Sequence, residues 1–231
     1  MTNALSSTGP MRLLLFGATG MVGSSVLGEL LTDDSVAAVR AVGRKSCGIK
    51  HPKLDEILLL DLFDIPTIQE QLRGFDGCVF ALGTSSVGMN EADDARMTYD
   101  LAMVAARAML AASSGLAIVF VSGAGTDSTA QGRSMWARVK GRAENDLLDM
   151  PFSHATMIRL GGLVPPPGFR PKAAWMRWLL PFARPLLSLL HWLLPNLVIT
   201  PRRLTRAMLK ALRGQADKQR LEPRDLNQLG M

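Results

Sequence analysis

One tyrosine, two cysteines and three histidines are all that 231 residues hold of several side chains that carry acid–base, redox or metal chemistry. The cysteines, Cys47 and Cys78, are too few for a disulfide framework, and Cys78 sits in the apolar run CVFAL. Both read as reduced thiols. His51, His154 and His191 are scattered, so no metal-ligand spacing appears and no metal is expected. The N-terminal MTNALSSTGPM has neither the basic start nor the apolar core of a secretory signal. Residues 1–10 therefore read as a flexible leader, and the protein as cytoplasmic. Asp and Glu are absent between Arg170 and Lys210, where eight of the 26 Lys and Arg residues fall. The net charge of +6 belongs to that segment, because the rest of the chain holds 18 basic against 20 acidic residues. Charge confined in this way argues against a nucleic-acid binder, whose arginines form a folded face with base-stacking aromatics.

What is present is a core. Hydrophobic residues make up 48% of the chain, enough for one folded α/β domain. Apolar runs predict six strands: RLLLF at 12–16, VAAVRAV at 36–42, ILLLD at 57–61, CVFALG at 78–83, AIVFVS at 117–122 and ATMIRL at 155–160. Helical stretches alternate with them, one after the first strand, one over about 92–113 and one ending at Asp149. Continuous apolar strands alternating with helices imply an α/β fold, a doubly wound parallel sheet of the Rossmann type. LVPPPGFRP at 163–171 ends the pattern, since consecutive prolines continue neither a helix nor a central strand. The expected division is a nucleotide-binding domain over 11–164 and a small, mostly helical C-terminal part over 165–231, packed on the core.

Between the first strand and its helix stands GATGMVG, with Gly17, Gly20 and Gly23 spaced three apart. Residues without Cβ allow a tight turn and a close approach to a pyrophosphate, and a helix N-terminus offers free amides to it. The expected phosphate cradle is Gly17, Thr19, Gly20, Met21, Val22 and Gly23. After the second strand comes AVGRKS, with no carboxylate to take a ribose 2′-hydroxyl. Arg44 instead fits a bidentate contact with a 2′-phosphate, which favours NADP over NAD. Asp61, with the Leu62 backbone, is placed to meet the adenine, and Ala81, Leu82 and Gly83 to lie alongside the cofactor. Leu163, in RLGGLV, is expected to run past the nicotinamide.

These pieces, with FVSGAGTDST, MWARVKGRAEN and IRLGGLVPP, resemble an atypical short-chain dehydrogenase/reductase. Within that superfamily the chain is most similar to bacterial NAD-dependent epimerase/dehydratase-like proteins related to the Tat-interacting-protein oxidoreductases. The resemblance implies a catalytic set of a hydroxyl residue ending the fifth strand, followed by Tyr-x-x-x-Lys. Carried over, Ser122 matches the hydroxyl and Lys140 the lysine that holds the nicotinamide ribose. Trp136 stands where the tyrosine belongs. An indole N–H donates a hydrogen bond but does not titrate usefully, so acid–base help worth roughly 10²–10⁴-fold is missing. Tyr99, on the helix after the fourth strand, is the candidate replacement, weighed against simple packing. Asp127 is read either as bordering the cleft or as a turn residue.

AAWMRWLLPFARPLLSLLHWLLPNLVIT holds three of the four tryptophans, but Arg177, Arg184 and three prolines disqualify it as a spanning helix. It reads as a lid over an apolar substrate, doubling as a homodimer contact, or as a peripheral membrane contact through residues 173–195. Three functions stay open: an NADP-dependent oxidoreductase or epimerase-like enzyme acting on a small or apolar carbonyl compound, a non-catalytic NADP(H) sensor or scaffold, and, resting only on this segment, a membrane-peripheral adaptor.

Overall fold

A computed structural model describes residues 9–83, 86, 88–164 and 198–231. The strands are β1 (Met11–Phe16), β2 (Val36–Gly43), β3 (Leu54–Leu58), β4 (Gly77–Phe80), β5 (Ala117–Gly123), β6 (Ala155–Leu160), β7 (Gly162–Leu163), β8 (Val198–Ile199) and β9 (Arg220–Leu221). Seven of them make one sheet in the order β3-β2-β1-β4-β5-β6-β9. Every pairing in it is parallel. β7 and β8 pair separately, also in parallel.

The central strands carry apolar residues at nearly every position because both faces of the sheet are covered. Leu13 and Leu15 of β1 face one core, and Leu14 and Phe16 face the other. On the first side pack α1 (Met21–Thr32), α5 (Pro201–Leu212) and Leu226 of α6 (Pro223–Leu229). On the second lie a 3₁₀ segment (Leu62–Leu72), α3 (Leu101–Ala112) and α4 (Met135–Asp149). Phe16, Phe80 and Phe120 stand in register on three adjacent strands, with ring centroids 5.5 and 5.8 Å apart. Each is buried, worth about 1.5–3 kcal/mol of transfer free energy per ring.

The C-terminal residues belong to this core. Leu204, Met208 and Leu212 recur at i+4 on α5 and all three are buried against the sheet. Thr200 caps the helix by accepting from the Arg203 N–H, and Pro201 occupies the first turn, where no backbone donor is needed.

Four local expectations change. The third strand is Leu54–Leu58 rather than 57–61, and Leu60 lies fully exposed. β3 is an edge strand, so its apolar run does not mark its position. The helix expected over 92–113 is broken into α2 (Glu91–Ala95), a π-turn (Arg96–Asp100) and α3. β9 adds a seventh strand too short to show any periodicity. The fourth strand ends at Phe80, and Ala81 to Gly83 leave it as loop. The leader before Gly9, Thr84, Ser85 and the tryptophan-rich segment 165–197 lie outside the described residues, and with them the lid, membrane and dimer readings. No helix among the described residues is long and apolar enough to cross a membrane.

Candidate functional site

The chain leaves β1 at Phe16 and turns at once. Gly17 has φ of +85°, and a Cβ there would stand 2.5 Å from the Ala81 carbonyl oxygen. A Cβ on Gly23 would stand 2.1 Å from the Gly17 carbonyl oxygen, whereas Gly20 leaves 3.2 Å to the same atom. Gly17 and Gly23 are thus demanded by the turn and by the helix pressed against it. Gly20 caps α1 without any side-chain bond, and the first turn of α1 holds no acid. Its leading amides therefore remain available to an anion.

The turn opens on a cleft of about 390 Å³. Of the expected residues, Gly17, Thr19, Gly20, Arg44, Leu62, Ala81, Leu82 and Gly83 line it. Arg44 and Leu62 also border an adjoining pocket of about 320 Å³ together with Asp61. Asp61 has a structural task as well, accepting from the Phe63 N–H at 3.0 Å to cap the 3₁₀ segment. Met21, Val22 and Gly23 lie behind the cradle in α1, and Leu163 is buried in β7. Arg44 and Lys45 make no hydrogen bond or ion pair among the described residues.

Among the lining residues that sequence reasoning missed are Cys47, Glu56, Met97 and Leu101. Glu56 matters most, because it puts a carboxylate near Arg44 from β3 rather than β2. It accepts from the Cys47 N–H at 2.6 Å and the Ser46 hydroxyl at 2.7 Å. Partial burial pulls its carboxyl up, but those donors hold it below the ordinary value. Burial and Glu56 together push the Cys47 thiol up to about 12, so it is not a thiolate at neutral pH. Cys78 is buried, and both cysteines are free.

The resemblance-derived set is arranged differently. Ser122 is buried at the end of β5, and its hydroxyl donates to Glu144 Oε1. Glu144, 0% exposed, also takes the Arg159 guanidinium, with Nη2 at 2.6 Å from Oε2 and Nε at 3.1 Å from Oε1. Arg159 reaches on to Glu222 at 3.0 Å and to the Ser128 hydroxyl. Arg220 Nε lies 3.5 Å from Glu144 Oε2, within ion-pair range but without hydrogen-bond geometry. Ser122 is therefore tied into a buried charge network.

Trp136 lies over the glycines that follow Ser122. A Cβ on Gly123 would sit 3.4 Å from its Cζ3, and one on Gly125 3.8 Å from its Cη2. Both distances are ordinary van der Waals contact, so the ring packs against this turn without demanding glycine there. Gly141 lets α4 press on the next loop, where a Cβ would fall 1.7 Å from the Asp127 carbonyl oxygen. Asp127 organises that loop: its carboxylate accepts from the Thr129, Gln131 and Gly132 N–H groups and the Thr129 hydroxyl. The Thr129 hydroxyl foremost, with these amides, holds its carboxyl low, at about 2. Asp127 is a turn residue.

Tyr99 does not take the tyrosine's place. Its phenol donates to Asp146, and the Arg142 guanidinium stacks 4.0 Å from the ring centroid. Asp146 and burial push the phenol up, which makes it a poorer acid. Lys140 makes no hydrogen bond among the described residues, and burial pulls its ammonium below the ordinary value against the attraction of Asp94 and Glu144. Ser122, Trp136, Lys140 and Tyr99 are not among the described residues that line the cleft.

A sequence profile described as NAD(P)H-binding matches residues 17–170. "Protein fmp52-2, mitochondrial" of Neosartorya fischeri is 29% identical over 153 residues, covering 65% of each chain. "Protein FMP52, mitochondrial" of Meyerozyma guilliermondii is 28% identical over 156 residues, 67% of this chain and 66% of its own. The chain thus matches about two thirds of these relatives' length. Among solved structures, the glucuronic acid dehydrogenase of Chromohalobacter salexigens gives a TM-score of 0.63 at 21% identity, covering 90% of this chain and 73% of that one. WbmF of Bordetella bronchiseptica, solved with NAD+, gives 0.65 at 13% identity, covering 95% and 77%. These likenesses concern the fold. The relatives' names overturn the expectation of a cytoplasmic protein. That expectation rested on the lack of a secretory signal, which bears on secretion and not on mitochondrial import. By its profile, its glycine turn and its sheet, the chain belongs to the NAD(P)H-binding family.

Proposed function

We propose that this protein binds NADP(H) in the cleft above the glycine turn and acts as an oxidoreductase or epimerase-like enzyme on a small or apolar carbonyl compound. The observation that carries the cofactor reading is the cradle itself: a Cβ at Gly17 or Gly23 would overlap backbone, and the turn opens on the cleft. Arg44 and Lys45 border the same cleft without a protein partner among the described residues, which supports a coenzyme with an extra phosphate. Glu56 does not oppose it strongly, because the Cys47 amide and Ser46 hydroxyl already engage its carboxylate. Bound there, the coenzyme supplies hydride. In this reading Lys140 directs its positive charge toward the coenzyme ribose from beyond the lining residues, and the indole of Trp136 moves no proton. The proton in this reading comes from water or from the substrate.

A second reading, a non-catalytic NADP(H) sensor or scaffold, is favoured by Ser122. A hydroxyl that donates to Glu144 is not free to polarise a carbonyl. Titration with NADPH and NADH, followed by coenzyme fluorescence, tests the binding. NADPH is expected to bind more tightly, and no binding of either would end both readings. A panel of aldehydes, ketones and quinones with NADPH then separates them. Turnover abolished by Lys140→Met supports the enzyme. Tight binding without turnover supports the sensor.

A further inference from the structure

β2 and β3 meet in register beside the cleft, with Ala41 next to Glu56 and Gly43 next to Leu58, and all four residues line it. From β3 the Glu56 side chain reaches the irregular stretch that leaves β2. Its Oε2 accepts from the Ser46 hydroxyl at 2.7 Å, and its Oε1 accepts from the Cys47 N–H at 2.6 Å. The Ser46 oxygen in turn accepts from the Gly48 N–H at 3.1 Å. Among the described residues, Glu56 is the partner outside residues 44–48 to which this stretch hydrogen-bonds. Arg44 and Lys45 stand immediately before the two bonded residues and line the same cleft. No ion pair joins either cation to Glu56 among the described residues, although the opposite charges share one lining.

We propose that Glu56 is a positioning residue of the coenzyme site, a clamp that fixes residues 44–48 to β3 and keeps Arg44 and Lys45 at the cleft. The clamp thereby sets the preference for NADPH over NADH. This rests on the dinucleotide reading above. A carboxylate with both oxygens engaged by the protein is a poor reader of a ribose hydroxyl and a firm anchor for a loop. Arg and Lys side chains lose much rotamer freedom when they grip a phosphate. With the backbone beneath them already ordered, that side-chain loss is all that the loop contributes to the cost of binding. The same bonds explain how a negative charge is tolerated beside a 2′-phosphate, because the donors of Ser46 and Cys47 already engage it.

The other role for an acid here is to bind the ribose 2′-hydroxyl of NADH directly, and the two roles predict opposite signs. Dissociation constants of the full chain for NADPH and NADH, read by coenzyme fluorescence, separate them. Glu56→Ala should bind NADPH about fivefold more weakly, the scale of one net hydrogen bond, and NADH within about twofold of wild type. Glu56→Gln keeps an oxygen for the Cys47 N–H and an amide for the Ser46 oxygen, so it should bind NADPH at least as tightly as wild type. Ser46→Ala, at an exposed position that does not line the cleft, should lose part of the NADPH preference. In a chain already carrying Arg44→Ala and Lys45→Ala, Glu56→Ala should weaken NADPH little further, because it acts through those two cations. Tighter NADPH and weaker NADH binding in Glu56→Ala would overturn the proposal, as would equal losses of both. So would a Glu56→Gln as weak for NADPH as Glu56→Ala.

A second measurement needs no coenzyme. Limited trypsin digestion of the full chain reads the stretch through its own Arg44 and Lys45. Glu56→Ala and Ser46→Ala should be cut there several-fold faster than wild type, because a loop freed from its anchor opens locally more often. Glu56→Gln should be cut at about the wild-type rate. If Glu56→Ala unfolds the chain, Ser46→Ala carries the comparison, since Ser46 is exposed. Cleavage at the wild-type rate in both variants would sink the clamp. Faster cleavage in a chain that binds neither NADPH nor NADH would instead leave the clamp standing and remove the dinucleotide reading.

Discussion

The Ser122 hydroxyl donates to Glu144, one turn beyond Lys140 on α4, and Glu144 in turn holds Arg159 of β6. The side chain that the family resemblance assigns to the substrate is built into a buried ion network. This network joins β5, α4, β6 and the C-terminal Glu222.

Glu144→Gln should cost stability heavily, because it leaves the Arg159 charge mostly buried and short of a partner. A loss of about 3–5 kcal/mol is expected from urea unfolding. Replacing Glu144 and Arg159 together by Met should cost less than Glu144→Gln alone, since the two charges it leaves without these partners, Glu222 and Arg220, are partly exposed. A double variant as unstable as the single one would contradict this account.

Gly23→Ala and Gly17→Ala should each abolish detectable NADPH binding. The second also places alanine at φ +85°, at a cost of about 1–3 kcal/mol. Gly28 of the same helix α1 has nothing within 4 Å of its missing Cβ. Gly28→Ala should keep binding and gain about 0.5–1 kcal/mol, measured by thermal unfolding.

Arg44→Ala should weaken NADPH by about tenfold, below the full value of a charged hydrogen bond because Arg44 is exposed, and leave NADH within about twofold. Added salt should reduce the wild type's preference for NADPH and have little effect on the variant. Equal losses for both coenzymes would place Arg44 outside the 2′-phosphate site.

Cys47, with its thiol pushed up to about 12, should resist alkylation by iodoacetamide at pH 8 in the folded protein. The thiolate appears only as pH climbs toward that value. Glu56→Gln removes one of the causes that raise it and should speed alkylation several-fold at about pH 9, short of the rate for a free thiol, because burial remains the larger cause.

The single tyrosine makes ultraviolet titration specific to Tyr99. Its phenolate should appear above the ordinary pH in the folded chain. Asp146→Asn should bring that transition down, since Asp146 is the main cause of the rise. An unchanged titration would mean that the phenol does not meet Asp146 in solution.

The sequence alone was enough for the doubly wound sheet and the glycine turn. Each follows from effects acting over a few residues: two-sided burial makes a strand apolar throughout, and a close backbone crossing excludes Cβ. Tertiary structure decided what Ser122 and Tyr99 do. A polar side chain takes its role from whichever donor or acceptor faces it, and Glu144 and Asp146 arrive from 22 and 47 residues away in the chain. The same holds for β9, whose two residues carry no periodicity and become a strand only because the edge of β6 is there to pair with them.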